Sequence, residues 1–143
     1  MSTATASANS LQNLIYRAVT WANMAQNAGA SPATTIDIAL HTAAPVSDLQ
    51  SSNEVTVGQW NTYARKSITR NTSEWDAASS GMVQNTNLAQ FVEMASGSGA
   101  TITHVSTGYN GSIIHFGSLT APRTVSAGIQ PQFAATALKS TQS

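Results

Sequence analysis

The sequence predicts an all-β fold of the sandwich or barrel type with one helix near the N-terminus. Short runs rich in Val, Ile and Thr recur at intervals of about 8–12 residues between Gly, Pro and Asn turns, a spacing typical of such folds. Residues 34–42 alternate apolar and polar side chains, with Ile36, Ile38 and Leu40 on one face, which is the pattern of a half-buried strand. Asn110-Gly111, between two β-rich runs, is the strongest hairpin signal in the chain.

Composition favours a structural or binding domain over an enzyme. The chain has 143 residues, which fits one domain, and only 8% of them are charged, with six basic and six acidic side chains. Balanced charge argues against nucleic acid as a partner, because phosphate binding needs a basic surface. No apolar run is long enough to span a membrane, and the first residues do not have the pattern of a secretory signal. The absence of cysteine excludes disulfides and thiolate chemistry.

The N-terminal part of the chain predicts an arm followed by a helix. Residues 1–9 carry no large apolar group beyond Met1, so we expect them to form a flexible arm or one that becomes ordered on a partner. Ser10 is a suitable N-cap, and Gly29 and Pro32 would end the helix. Residues 10–143 would then form a single β-sandwich domain with this helix. The apolar positions at helical spacing are Leu11, Leu14, Ile15, Ala18, Ala22 and Ala25.

The stretch from residue 34 to residue 69 forms the predicted centre of the fold. The strand over 34–42 ends before Pro45, because proline has no N–H to donate to a sheet ladder. A long polar loop over residues 43–61 follows, and the chain returns in a second strand over 63–68. Val55 and Val57 alternate within the loop, so they also fit a short strand or an arm.

Trp60 lies in this polar loop and allows two interpretations. An exposed tryptophan is a common hot-spot residue at protein interfaces. Alternatively, the loop folds back and Trp60 covers one end of the sandwich. The sequence does not choose between the two.

Further β-strands are predicted in the second half of the chain. Trp75 is expected to face the core, and Ala121-Pro122 is expected to break the chain after a short strand that follows the Asn110-Gly111 turn. The predicted strands are 88–94, 101–107, 112–116 and 129–138.

The titratable residues suggest no catalytic centre, metal site or cofactor site. His104 and His115 flank the predicted hairpin and could converge on a metal with a carboxylate, but two separate imidazoles are the simpler interpretation. Glu74 and Asp76 could form an acid–base pair or a cation site if residues 74–76 are extended, but the burial of Trp75 between them explains the pattern more simply. The chain lacks nucleophile-elbow, P-loop and dinucleotide-binding motifs. We therefore expect a protein without enzymatic activity.

The segments LHTAAP, NEV, YAR and LTAPRTVSAG occur in this order along the chain. Together they resemble a group of small phage virion proteins often labelled tail-fibre-like. In that group a strand of the type VYVALFTAAP precedes an NEVSGNGYARQ-like segment, and a late hairpin leads into a phrase like PLTTPKTVNAGDTLSF. The resemblance extends from about Leu11 to Phe133. Two features depart from it: a longer link that carries Trp60, and the middle region 71–95. The matching segments are Leu40–Pro45 (LHTAAP), Asn53–Val55 (NEV), Tyr63–Arg65 (YAR) and Leu119–Gly128 (LTAPRTVSAG).

The resemblance implies a jelly-roll β-sandwich in a phage particle. Similar proteins decorate capsids as cement, so our first hypothesis is a capsid decoration protein on the outer capsid surface of the virion. It would bind and bridge the major capsid protein as a homo-oligomer, either a dimer or a trimer. The alternative is a tail, neck or fibre component with a host-facing or carbohydrate-binding role. The candidate interface residues are Trp60, Tyr63, Arg65, Asn53, Glu54 and Val55.

Overall fold

A computed structural model of the chain describes residues 5–21 and 32–142. Within these residues the chain forms one helix and eight strands. Three strand pairings are antiparallel: Thr35–His41 with Ala100–Tyr109, Met82–Gln84 with Lys139–Thr141, and Ala100–Tyr109 with Ser112–Val125. They confirm the predicted all-β class with a single helix near the N-terminus. The jelly-roll connectivity remains a prediction. The elements are α1 (Thr5–Arg17), β1 (Thr35–His41), β2 (Lys66–Thr69), β3 (Met82–Gln84), β4 (Ala89–Gln90), β5 (Ala100–Tyr109), β6 (Ser112–Val125), β7 (Gln132–Phe133) and β8 (Lys139–Thr141).

The strands form one four-stranded sheet, in the order β2-β1-β5-β6, and two small sheets, β3-β8 and β4-β7. The chain divides into two compact units. The single domain over residues 10–143 stays a prediction. The first unit comprises the described residues of Met1–Thr35, Ile68–Ala89 and Phe133–Ser143, and the second comprises Ile36–Ser67 and Gln90–Gln132.

Helix α1 belongs to the first unit and begins at Thr5, five residues before the predicted N-cap Ser10. Residues 5–9 of the expected arm are therefore helical, while residues 1–4 and 22–31, including Gly29, lie outside the described residues. The buried positions are Ala8, Gln12 and Tyr16, spaced four residues apart. The prediction missed this stripe because it contains a polar residue: the Gln12 amide donates to the main-chain oxygens of Gly81 and Ser140, both at 3.2 Å.

The helix ends at Arg17, and its last carbonyls have a partner outside the helix. The Arg70 guanidinium donates from Nη2 to the Leu14 oxygen at 2.7 Å and from Nε to the Ile15 oxygen. These carbonyls lie in the last turn, where no intrahelical donor remains. Ala18 then adopts a left-handed φ of 55°, a conformation typical of the residue after a helix.

Trp75 lies in the core of the first unit, as predicted. Its side chain is fully buried and meets the ring of Tyr16 edge-on, with ring centroids 4.7 Å apart. Its indole N–H donates to the Thr69 main-chain oxygen at 3.1 Å, so the one polar atom of the ring is satisfied.

In the second unit, strand β1 confirms the predicted strand but not its half-buried character. Ile36, Ile38 and Leu40 are buried as expected, and Ala39 and His41 on the other face are buried as well. The strand pairs with β5 over its last five residues. Its C-terminal half is therefore covered on both faces.

The hairpin predicted at Asn110-Gly111 is confirmed. Tyr109 pairs with Ser112, so the loop has two residues, and both have positive φ, 50° and 81°. This is the conformation that a tight turn between right-twisted strands requires, and Asn-Gly is its preferred sequence.

The predicted break at Ala121-Pro122 is wrong as a strand end, because β6 continues to Val125. Ile102 pairs with Arg123, whereas His104 pairs with Ser118, so the four residues Leu119–Pro122 bulge opposite a single residue of β5. Strand β6 lies at the edge of the sheet. Proline is tolerated at such a bulge on an edge strand, since its missing N–H costs no ladder bond there.

Three other predicted strands are shorter than expected. The return strand begins at Lys66 and not at residue 63, and the strand over 88–94 is reduced to Ala89–Gln90. The last predicted strand, 129–138, is wrong over most of its length. The Asn85 side chain donates to the Ala134 oxygen and accepts from the Leu138 N–H, so it replaces the ladder hydrogen bonds that a strand would need.

Candidate functional site

The long loop after β1 folds back onto that strand. The Thr42 N–H donates to the Asn53 oxygen at 2.9 Å, and the Val55 N–H donates to the Leu40 oxygen at 3.0 Å. Asn53 has a left-handed φ of 53°, which asparagine tolerates, and its amide donates to the Ala44 oxygen at 2.8 Å. The loop is therefore built by its own hydrogen bonds and has a defined shape.

The same loop also extends the sheet beside the β5–β6 hairpin. The Gln50 N–H donates to the Gly111 oxygen at 2.8 Å, and the Ile113 N–H donates to the Asp48 oxygen at 2.7 Å. Leu49 consequently pairs with Ser112 as an isolated bridge. The middle of the loop is fixed against the first residues of β6.

Three aliphatic side chains of this loop are exposed. Val46 is 86% exposed, Val57 69% and Leu49 54%. We call these three residues the apolar loop surface. The sequence analysis did not single out these three residues within the loop, and no local signal separates them from Val55, which lies in the same loop and is only 3% exposed. A fixed loop with exposed aliphatic side chains is suited to binding another surface.

A buried polar cluster of His41, Gln50 and Ser106 lies beneath the loop. His41 is fully buried, and its Nδ1 lies 2.9 Å from the Ser52 main-chain oxygen while its Nε2 lies 2.8 Å from Ser106 Oγ. The Gln50 amide donates to the Asp37 oxygen at 3.0 Å. Burial lowers the pKa of His41 below its ordinary value, so the ring is neutral at pH 7.

Glycine at position 108 makes room for this cluster. A Cβ placed on Gly108 would lie 2.4 Å from Cδ of Gln50 and 2.4 Å from the Ser112 oxygen. Any larger residue would displace the Gln50 side chain from β5. The close approach therefore depends on the absence of a side chain at residue 108.

Glu54, Tyr63 and Arg65 form a second polar cluster. Arg65 donates two hydrogen bonds to the Glu54 carboxylate, from Nε to Oε1 at 2.8 Å and from Nη2 to Oε2 at 2.7 Å. The Tyr63 hydroxyl donates to Glu54 Oε1 at 2.9 Å and accepts from the Leu40 N–H at 3.0 Å. The hydrogen bond to Glu54 raises the pKa of Arg65, and burial raises the pKa of Tyr63.

Trp60 is fully buried, which is the second of the two interpretations that the sequence allowed. Its ring centroid lies 5.4 Å from that of Tyr63 and 6.2 Å from that of Phe91. The indole N–H donates to Thr62 Oγ1 at 3.0 Å, and that hydroxyl donates to the Glu93 oxygen at 2.6 Å. Trp60 therefore anchors the end of the loop within the second unit.

The candidate interface residues named from the sequence thus lie close together, but most of them contact one another. Trp60 and Val55 are buried, and Glu54, Tyr63 and Arg65 are partly buried in their shared cluster. Only Asn53 is exposed, and its amide is engaged within the loop. These residues determine the shape of the loop. The apolar loop surface, which is formed by other residues of the loop, provides the exposed side chains.

The histidines do not converge at the hairpin. His104 lies on β5, and His115 on β6 pairs with Thr107, three residues further along β5 than His104. The two imidazoles therefore lie on opposite faces of the sheet. His104 instead lies opposite His41 across β1 and β5. In the part of the chain that the structure describes, no three His, Asp or Glu side chains are grouped so as to hold a metal ion.

Two other arrangements have the residue types of catalytic sites without the geometry. His41 and Ser106 are hydrogen-bonded like a base and a nucleophile, but both are buried, and the third partner is a main-chain carbonyl. Asp76 accepts from Gln84 at 2.8 Å, whereas Glu74 accepts from Asn87 at 3.2 Å. In both arrangements the side chains form hydrogen bonds that support the structure of the unit to which they belong.

The model of a family described as Podophage GP4 fiber I protein gp80 matches residues 2–141. No curated protein matches the chain. Among the described residues, no helix has both the length and the apolar character needed to cross a membrane.

Proposed function

Because this chain belongs to the podophage GP4 fiber I protein gp80 family and is a structural protein of a phage particle, we propose that it serves as a fibre or tail component. The family match over residues 2–141 carries this proposal. It favours the alternative drawn from the sequence over the first hypothesis, a capsid decoration protein bound to the major capsid protein on the outer capsid surface.

The proposed activity is binding without catalysis. A fibre component must hold its own shape and present a surface to a neighbouring virion subunit or to the host. The two polar clusters hold the middle of the loop and the buried Trp60 anchors its end, and together they determine the shape of the loop. The apolar loop surface of Val46, Leu49 and Val57 supplies the candidate contact.

Zero net charge is compatible with this role. Six basic and six acidic side chains cancel, so copies of the chain do not repel one another as they assemble. Weak contacts are also sufficient to attach the protein when several copies bind the same particle, because linked binding sites strengthen the overall attachment. We propose that the chain assembles as a homo-oligomer, the state expected from the sequence, and that the apolar loop surface takes part in attachment.

The position of the protein on the particle tests the proposal. Antibody labelling of purified particles by electron microscopy, with copy number measured against the major capsid protein by mass spectrometry, separates the two roles. A fibre component would label the tail region at a copy number far below that of the major capsid protein. Label over the whole shell, at a copy number in simple ratio to the major capsid protein, would support decoration and overturn the proposal.

A further inference from the structure

We propose that His41 is an acid-sensitive latch, and that protonation of its ring releases the loop over residues 42–54 from the sheet. The latch is a property of the isolated chain, so it can be tested independently of the fibre role. It joins β1, which carries His41, the loop, which carries Gln50 and Ser52, and β5, which carries Ser106.

The hydrogen bonds define the tautomer of the neutral ring. The Ser52 main-chain oxygen can only accept, so His41 Nδ1 carries the proton and donates to it over 2.9 Å. Nε2 must then accept, and the Ser106 hydroxyl donates to it over 2.8 Å. Ser106 Oγ also lies 3.5 Å from the Gln50 amide nitrogen, which can only donate. Every polar atom of the neutral ring has a partner of the right kind.

A second proton on the ring upsets this arrangement. Nε2 becomes a donor, so Ser106 Oγ must accept from it and turn its own hydroxyl proton elsewhere. On the loop side Ser106 meets the amide nitrogen of Gln50, which offers no acceptor. A buried hydroxyl proton without a partner and a buried cation both cost free energy, and both costs fall on the latched state.

Neither the hydrogen bond to the Ser52 main-chain oxygen, which favours a protonated ring, nor the charged groups around His41 compensate for burial. Arg65, on the return segment, and His104, directly opposite on β5, both disfavour a positive ring. Glu54, on the loop, favours it, but both of its oxygens are held by Arg65 and one also accepts from Tyr63. Asp37, on the same strand, is bonded to Ser67. Burial therefore prevails, and the pKa of His41 is lowered.

The loop is the element that gives way. β1 is held to β5 by a ladder over Asp37–His41. The loop is held to the sheet by the His41–Ser52 bond, the Gln50 side chain, two main-chain bonds near its base and two main-chain bonds to the β5–β6 hairpin. Opening the loop hydrates His41 and Ser106 and leaves the β1–β5 ladder intact, whereas separating β1 from β5 would break that ladder as well.

The direction of the pH effect follows from the lowered pKa. A histidine with a pKa lower in the latched state than in the open state binds protons preferentially when open. The latch is fully effective above the ordinary histidine pKa of 6.5, and it weakens as the pH falls from there towards the lowered value. Within that window the opening equilibrium constant rises up to about tenfold for each pH unit.

Hydrogen exchange of the full chain, measured by mass spectrometry, tests the latch. The exchange is measured at about pH 7.5 and about pH 5, on either side of the ordinary histidine pKa, and is corrected for the intrinsic exchange rates. We expect peptides over residues 42–54 to lose protection at the lower pH while β5 peptides keep theirs. His115→Gln is the matched control, which should behave like the wild type. His41→Gln should abolish the pH dependence. Unchanged loop protection at low pH, or a pH response that survives in His41→Gln, would overturn the proposal.

A second measurement covers the case in which His41→Gln does not fold. Nitrogen NMR of the wild-type protein reports both the tautomer and the titration of each histidine. We expect His41 to carry its proton on Nδ1 and to titrate together with the amide signals of the loop. Titration of His41 at the ordinary pKa, while the loop signals stay unchanged, would contradict the latch.

Discussion

Arg65 and Glu54 form a two-bond ion pair that joins the loop to the return segment, with Nη2 and Oε2 2.7 Å apart. The side chain of Glu54 is 13% exposed and that of Arg65 28%, so water screens the pair only in part. The Tyr63 hydroxyl shares the same carboxylate. This cluster and the buried Trp60 make the shape of the loop depend on contacts between residues far apart in sequence.

Breaking the Glu54–Arg65 pair should destabilise the chain. Glu54→Gln removes the charge that Arg65 and the Tyr63 hydroxyl both contact, and we expect a loss of about 1–3 kcal/mol in the free energy of unfolding, measured by urea denaturation. A double-mutant cycle with Arg65→Met isolates the coupling between the two side chains. If the two substitutions are additive, the pair contributes nothing beyond its separate contacts.

Trp60→Ala should unfold or strongly destabilise the second unit. The side chain is fully buried against Tyr63 and Phe91, and deletion of such a ring costs about 3–5 kcal/mol. Thermal and urea unfolding measure the loss, with Val57→Ala as the control because Val57 is 69% exposed. A Trp60→Ala protein of normal stability that only fails to attach to particles would restore the interface role considered from the sequence.

Charge introduced on the apolar loop surface should impair attachment and leave stability unchanged. Val46→Asp and Leu49→Asp place a carboxylate on side chains that are 86% and 54% exposed. Incorporation into particles, measured by mass spectrometry in a complementation assay, should fall, while the urea midpoint stays constant. Ser51→Asp adds the same charge at an exposed polar position of this loop and is the control. Equal incorporation of all three variants would show that the surface is not used.

Two glycines of the β5–β6 hairpin, one in the turn and one in the edge strand β6, should respond differently to substitution. Gly111 has a φ of 81°, so Gly111→Ala forces a side chain into a left-handed conformation and should cost about 1 kcal/mol. Gly117→Ala is the matched control in β6, where no atom lies within 4 Å of the added Cβ. The urea midpoint should fall for the first variant only, and a similar loss in both would contradict the turn assignment.

Tyr63 should make stability depend on alkaline pH. Burial raises its pKa above the ordinary value of 10.0, so the folded state holds the phenolic proton more tightly than the unfolded state. Its contribution is present below about pH 10 and is lost as the pH rises beyond that value. Unfolding followed from about pH 8 to pH 11 should show a steeper loss for the wild type than for Tyr63→Phe. Identical slopes would mean that Tyr63 ionises freely in the folded protein.

Local chemistry was sufficient to determine several features of this protein from its sequence. The Asn110-Gly111 turn depends only on the backbone freedom of those two residues, and the strand at Thr35–His41 depends on a period of two. Both are properties of neighbouring residues, so both could be predicted. The resemblance to phage virion proteins was also visible in short segments, and the family match agrees with it at that level.

Only the tertiary structure decided which residues are buried and which face outward. Trp60 and Val46 lie in the same polar loop, yet one is fully buried and the other is 86% exposed, because Tyr63 and Phe91 cover only the first. His41 and Ser106 are 65 positions apart, and pairing of β1 with β5 brings them together. Periodicity and propensity describe neighbours along the chain, whereas burial depends on which distant segments pack together.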